Sequence, residues 1–317
     1  MTQPLVSVLI PCFNAEKYIA DAIQSALDQD YPNIEVIVMD DGSTDASLSV
    51  IRRFESDSRF RWETGPNRGG NAARNRLIAL ASGEFVQFLD ADDLLLSNKI
   101  SSQMAVFSAD RDAVLCDYRL LDEANPGLSR DVMLQDCGED LLEYFIRGSQ
   151  ITMLPLHRRK HLVVVSGFDE TLRCCQEYDL HVRLAENVWK KIVRIPEILA
   201  HKRAVRHSVS FAERKIYLTW SKLLIESHER LQQRGELTQR RAQAIAEMLY
   251  ACGRHLVRVG QAKAGRVAFS RALTLSPRAD VVVSPAMRLV SNLIGPVSAE
   301  RLRTVVKRST SNTFPGK

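Results

Sequence analysis

The first hundred residues alternate between two hydrophobic periods. Residues 5–10 form a near-continuous apolar run of strand type, while 15–29 place Ile19, Ala22, Ile23 and Ala26 on one helical face. A second strand is expected over 34–39 and a short third over 60–63. Between them, Thr44 or Asp45 can cap a helix running through Phe54. A helix over about 71–81 and a strand over 84–89 complete the series. This βαβαβαβ order predicts an α/β fold: a Rossmann-like, mostly parallel, doubly wound sheet with helices on both faces. Such sheets bind ligands beyond the carboxyl ends of their strands.

The pattern then becomes mixed, with a strand expected over 113–121 and a short helix over 138–146. An amphipathic helix over 176–188 carries Leu180, Leu184 and Val188 on one face. After about 211 the chain reads as helical: roughly 212–234, 238–259 and 261–275, separated by glycine-containing turns. Residues 260–277 have the spacing of one tetratricopeptide-type helix pair. That architecture needs several stacked repeats, so an appended bundle is the better reading. The expected organisation is an α/β domain over 1–210, a helical extension over 211–280 and a basic amphipathic tail, partly disordered, over 281–317.

Composition adds limits. With 45% apolar and 26% charged residues the chain has the profile of a soluble globular protein. No apolar run approaches the ~18 residues of a membrane span. Met1-Thr2-Gln3-Pro4 lacks a signal-peptide start. The six cysteines show neither a CxxC pair nor zinc-like spacing, as expected of a reduced, cytoplasmic chain. Charge is unevenly spread: residues 1–200 hold 21 Lys/Arg against 31 Asp/Glu, residues 201–317 hold 22 against 7. The second region is therefore expected to face an anionic partner. No helix-turn-helix, zinc finger or aromatic platform motif is present, so no nucleic-acid partner is expected. The apolar stretch 281–297 is broken by Pro285, Arg288 and Pro296. It can lie on an anionic membrane surface or pack as an ordinary helix ahead of a frayed end.

Candidate chemistry gathers at the strand ends: Asn14 after the first, Asp40 and Asp41 after the second, Asp90 and Asp92 after the fourth. Asp40-Asp41-Gly42 reads either as a turn with a helix cap or as carboxylates facing a nucleobase or ribose. NRGGNAARN (67–75) leads into a helix with Arg74 in its first turn, which suits a diphosphate or is an ordinary helix start. In FVQFLDADDLLL (85–96), Asp90, Asp92 and Asp93 crowd the end of a buried strand. They form either a solvated turn or a site for Mg²⁺ or Mn²⁺, which take one or two carboxylates and complete their shell with phosphate and water. Glu177 and Asp179 fall in a helical first turn, where the dipole favours an ionised carboxylate and where acids are common anyway.

VSVLIPCFNAEKYIADAIQSALDQDYPNIEVIVMDDGSTD, NRGGNAARN, GEFVQFLDADD and GFDETLRCCQEYDLHVRLA follow one another over roughly residues 5–190. This ordered set resembles the family 2 glycosyltransferases, inverting enzymes of the GT-A nucleotide-diphospho-sugar transferase fold. The resemblance implies a nucleotide-sugar donor, a UDP-sugar foremost, bound by Pro11, Phe13, Asn14, Asp41, Arg74 and Asp90. Asp41 would contact the nucleobase, Arg74 would hold the nucleotide and Asp90 would lie near the ribose. Asp92, alone or with Asp90, would bind the Mn²⁺ or Mg²⁺ on the diphosphate. The acceptor would be a sugar or a lipid-linked species of bacterial polysaccharide or glycolipid assembly, at the inner membrane face. The family's Glu-Asp pair, whose Asp is the general base, here reads Gln176-Glu177. Glu177 is therefore the expected base, with Asp179 as fallback. A second departure is HKRAVRHSVS (201–210), where many relatives carry a Tyr-Arg-x-His run. His201 or His207 either reaches the metal or is a solvated loop residue. Two other readings compete. A sugar-1-phosphate nucleotidyltransferase would need a glycine-rich basic loop after the first strand, where IPCFNAEKY has no glycine. A non-catalytic sugar-nucleotide binder or scaffold draws support from the altered Glu-Asp pair alone.

Overall fold

β1 (Val6–Cys12) has Val6, Val8, Leu9 and Ile10 all at 0% exposure, as in a strand covered on both faces. It opens a computed structural model that describes residues 3–148, 150–204 and 213–311. α1 (Ile19–Leu27), β2 (Ile34–Asp40), α2 (Ser47–Ile51), β3 (Phe60–Thr64), α3 (Gly70–Leu80) and β4 (Phe85–Phe88) follow, in the predicted order. α1 buries Ile19, Ala22, Ile23 and Ala26, the stripe visible in the sequence. α2 is shorter than expected and ends in a 3₁₀ turn over Arg52–Phe54. Asp45 accepts a hydrogen bond from the Ser47 amide at 2.9 Å at the start of α2.

The elements after β4 are β5 (Leu94–Leu95), α4 (Lys99–Val106), β6 (Ala113–Leu121), β7 (Arg130–Val132), α5 (Leu141–Arg147), β8 (Leu156–Arg158), α6 (Arg159–Val164), α7 (Gln176–Asn187) and β9 (Ile192–Arg203). The sheet order is β3-β2-β1-β4-β8-β6-β9-β5, with β7 paired to β6. β3, β2, β1 and β4 are mutually parallel, and β6 runs parallel to β9. β8 is antiparallel to both β4 and β6, β5 to β9 and β7 to β6. The expectation of a mostly parallel sheet is thus corrected to a mixed one. The parallel pattern holds for the first hundred residues, where whole βα units repeat, and fails where very short strands reverse direction.

β9 was not foreseen. It contains Pro196, which cannot donate to a ladder, and its register against β6 breaks there: Cys116 pairs with Ile195 and Asp117 with Ile198. Its far end matters most. Leu94 pairs with His201 and Leu95 with Ala200, so the turn after β4 lies beside Lys202 and Arg203.

The chain divides into two compact units, Met1–Ser208 and Val209–Lys317. The second contains α8 (Glu213–Gln233), α9 (Gln239–Arg258), α10 (Ala262–Leu275), α11 (Pro285–Ile294) and α12 (Pro296–Ser311). α9 begins at Thr238, whose side chain accepts from the Arg241 amide. α9 and α10 approach closely because both carry glycine at the crossing: a Cβ on Gly265 would lie 2.9 Å from the Gly253 carbonyl oxygen. The stretch read as a basic tail is helical over Pro285–Ile294 and Pro296–Ser311, and buried Glu300 ties it to α9 through Arg254 (3.1 Å) and Arg258 (2.5 Å).

Candidate active site

Asp41 follows β2 directly and is buried. Its two carboxylate oxygens accept from the backbone N–H groups of Arg68 and Gly69, each at 2.8 Å. The glycine-bearing loop is thereby fastened to the end of β2. Gly42 makes the approach possible, since at φ +74° a Cβ there would sit 2.8 Å from the Asn67 amide. Asp40 is committed elsewhere, accepting from Thr64 Oγ1 at 2.6 Å and the Ser43 amide at 3.2 Å. Asn14, at φ +48°, accepts from the Thr44 amide at 2.8 Å, and its own amide donates to Ser43 Oγ at 2.9 Å. Pro11 pairs with Met39 on β2, and Phe13 next to this loop is half exposed.

α3 presents three side chains at helical spacing, and each does a different job. Asn71 donates to the carbonyls of Asp169 (2.7 Å) and Leu172 (3.0 Å). Asn75 donates to the Phe168 carbonyl at 2.9 Å and accepts from the Phe168 amide at 2.8 Å. Gly167 must be glycine here, because at φ +63° a Cβ would overlap Asn75 Oδ1. The two asparagines therefore fix the loop that leads into α7. Between them Arg74 is buried, stacks over Phe168 at 5.5 Å and pairs with Asp90 at 2.6 Å. Its Nε is buried with no hydrogen-bond partner.

The acidic turn collects charge from several directions. Asp93 is buried, accepts from the Arg203 amide at 2.9 Å and lies 3.8 Å from Lys202 Nζ. Burial would raise the pKa of Asp90, but Arg74 and Lys202 hold it below the usual carboxylate value. Asp92 is raised by its own burial and by Asp90. Burial pushes Asp93 up to about 8. Lys202, which burial would weaken as a base, is raised by Asp93, Asp90, Asp92 and Glu177. Arg74 is likewise held high against burial by Asp90, Glu177 and Asp92. Four carboxylates thus share Arg74 and Lys202, with Arg203 acting on Asp92 as well. The set is short of positive charge, and a proton on Asp93 or a bound cation relieves that shortage.

Glu177 enters this field from α7. Cys175, in the left-handed conformation at φ +61°, turns the chain into the helix. Glu177 Oε1 accepts from Thr152 Oγ1 at 3.1 Å and is half-buried. Asp179 points to other work. Arg183 binds it through Nε at 2.9 Å and Nη2 at 2.5 Å while donating to the carbonyls of Val165 and Gly167. The fallback carboxylate is thus bound up in holding a loop.

Arg74, Asp90, Asp92 and Glu177 are therefore brought into one electrostatic neighbourhood, and Asp41 and Asn14 order the loops beside it. Lys202 was missed. Its signal is spatial, since only the β5–β9 pairing carries a residue from 110 positions downstream to the turn. His201 is next to it on the strand and so faces the other side, where Arg119 and Asp131 act on it. His207 lies outside the described residues. No group of three or more His, Cys, Asp or Glu arranged to hold a metal occurs among the described residues.

Similarity to known proteins agrees with this architecture. The fold is similar to that of TarS 1–349 of S. aureus in complex with UDP-GlcNAc, at TM-score 0.70 and 20% identity over 96% of this chain and 92% of that one. It also matches the mannosyltransferase PcManGT of Pyrobaculum calidifontis, in complex with GDP-Man and Mn²⁺, at TM-score 0.61 and 18% identity, over 96% and 88% of the two chains. The fold class is that of the GT-A transferases. Residues 7–133 match the family model "Glycosyl transferase family 2". The chondroitin synthase of Escherichia coli is 29% identical over 188 residues, 58% of this chain and 27% of that one. The chain spans less than half the length of this relative and of two other curated relatives that it matches, from Haemophilus influenzae and Streptococcus pneumoniae.

Proposed function

We propose that the protein is an inverting glycosyltransferase that moves a sugar from a nucleotide-diphosphate donor, a UDP-sugar, to an acceptor hydroxyl. The observation that carries this reading is the convergence of Glu177 and the Asp90–Arg74 pair on one site at the carboxyl ends of the strands. The nucleotide-sugar complexes of two structural neighbours, TarS and PcManGT, support the donor class. The chondroitin synthase relative supports a role in polysaccharide or glycolipid assembly, with a sugar or lipid-linked acceptor.

In this reading the donor's base lies along Asp41 and the loop it fastens, with Pro11, Phe13 and Asn14 beside it. Asp41 retains acceptor capacity, because each carboxylate oxygen has a second lone pair. Arg74 and Lys202 offset the charge that grows on the departing diphosphate. Glu177 takes the proton from the acceptor hydroxyl while that oxygen attacks the anomeric carbon. The bond from that carbon to the diphosphate oxygen breaks on the opposite side, the electron pair leaves with the nucleoside diphosphate, and the configuration inverts.

The residues also fit a divalent cation. Asp92 is a partly buried carboxylate with no ion-pair partner among the described residues, in a set with more carboxylates than cations. Asp92, with Asp90, would hold Mn²⁺ or Mg²⁺, which when bound supplies Lewis-acid stabilisation of the leaving diphosphate. Incubating the protein with a panel of sugar nucleotides and Mn²⁺ or Mg²⁺ tests the reading. Donor hydrolysis or transfer with inverted product, seen by NMR, is expected; absence of nucleotide binding across the panel overturns it.

A further inference from the structure

α11 is amphipathic in the reverse sense for a packed helix. The residue it buries is Ser291, and Arg288 reaches back to Asp280 at 3.5 Å. Met287 and Val290 are half-buried, but three large apolar side chains point out: Leu289 is 62% exposed, Leu293 76% and Ile294 48%. Leu289 and Leu293 are four positions apart and so form one stripe. Val282 just before the helix and Leu302 on α12 are exposed as well.

The sequence around this stripe carries a strong excess of positive charge. Residues 281–317 contain six Lys/Arg and a single acid, Glu300. Glu300 is 1% exposed and held by Arg254 and Arg258 of α9, so the acid is withdrawn from the surface. Arg301 is exposed beside Leu302. An outward apolar stripe flanked by cations, with its one anion sequestered, is the pattern of an interfacial helix.

We propose that α11, with the basic start of α12, seats this part of the chain on an anionic lipid surface. Among the described residues no helix is long and apolar enough to cross a membrane, so the contact is peripheral. A second copy of the chain is a poorer occupant, because a two-fold interface would bring the same cations face to face. A protein partner is also a poorer fit. A ten-residue helix is about 15 Å long, and its convex stripe falls far short of the roughly 800 Å² per side of a stable interface. A bilayer needs no matching groove: leucines enter the acyl boundary and arginines meet the headgroups.

The test uses the full chain and vesicles of phosphatidylcholine alone or with 30% phosphatidylglycerol. Flotation is expected on the mixed vesicles, at least ~10-fold weaker on the neutral ones, and reduced as salt rises. The double variant Leu289→Asp, Leu293→Asp should lose at least ~10-fold in partitioning at unchanged melting temperature, since both positions already face water. Should that variant fail to fold, Arg301→Gln with Arg303→Gln provides the second arm and should weaken binding and flatten its salt dependence. Failure to float on anionic vesicles overturns the proposal. So does flotation indifferent to both double variants, or a dimer in light scattering that the leucine variant dissociates without any lipid binding.

Discussion

At the turn after β4, Asp90, Asp92 and Asp93 share Arg74 and Lys202, and every one of these groups is shifted by another's charge. Elsewhere in the same unit, His157 and His181 are fully buried, stacked with each other and with Trp189 at 5.6–6.2 Å between ring centroids. All four of their ring nitrogens, and the Trp189 indole, are buried without a hydrogen-bond partner. Burial drives His181 down to about 3 and His157 well below its ordinary value, the latter helped by His181 and Lys99. One cluster holds opposite charges that balance incompletely, with Asp93 pushed towards its protonated form; the other discards charge and serves as packing. The difference separates a site from a core. A buried titratable group points to function when its neighbours hold charge that something else must complete.

The largest effect is expected at Glu177, the base proposed for the charged cluster. Glu177→Gln should leave nucleotide binding nearly intact and cut transfer by ~10² or more, the scale of a general base. Glu177→Asp should keep measurable activity. Normal turnover by Glu177→Gln alongside an inactive Asp179→Asn would show that the base had been misassigned, despite the Arg183 pairing.

The histidine cluster predicts a pH effect of known sign. Both side chains are neutral in the fold, while in the unfolded chain they titrate near 6.5. Their stabilising contribution is complete above that value and declines as pH falls from 6.5 towards 3, because only the unfolded state takes up the protons. Between pH 7 and pH 5 His181 alone should cost about 2 kcal/mol. Urea denaturation of His181→Leu should show a drop over that interval smaller by this amount. An identical drop in parent and variant would mean that the cluster is not as dry as its geometry indicates.

Asp92→Asn should weaken Mn²⁺-dependent UDP binding by at least ~10-fold, since a cation on a diphosphate would lose a charged ligand. Calorimetry with and without Mn²⁺ reads this directly, and equal metal dependence in both proteins would remove Asp92 from the metal role.

The same contrast explains what the sequence could reveal. The parallel half of the sheet was legible because its strands are apolar runs and α1 a clear stripe, which put Asp41, Asp90 and Asp92 at strand ends and Arg74 at a helix start. β5 and β8 are two and three residues long, and β9 is interrupted at Pro196, so no period marks them. Lys202 is carried by β9 and stayed hidden with it. The work of Asn71 and Asn75 was hidden for another reason: they hold a loop nearly a hundred residues away, and nothing local signals that.

Lys202 offers the smallest effect and the sharpest sign. Its ammonium lies 3.8 Å from Asp93 and is 32% exposed, so its interaction with the acidic set is partly screened. At roughly 1 kcal/mol for such a pair, substitution should change affinities about 5-fold. The direction depends on the ligand. Without nucleotide, Lys202 and a divalent cation compete for the same carboxylates, so Lys202→Met should bind Mn²⁺ about 5-fold more tightly, read by electron paramagnetic resonance. Without metal, the same variant has lost a cation facing the diphosphate and should bind UDP more weakly by a similar factor. A misfolded or loosened site would weaken both. Opposite changes therefore identify Lys202 as a member of the charged cluster, whereas parallel losses would reduce it to a strand-end residue that happens to pair with Asp93.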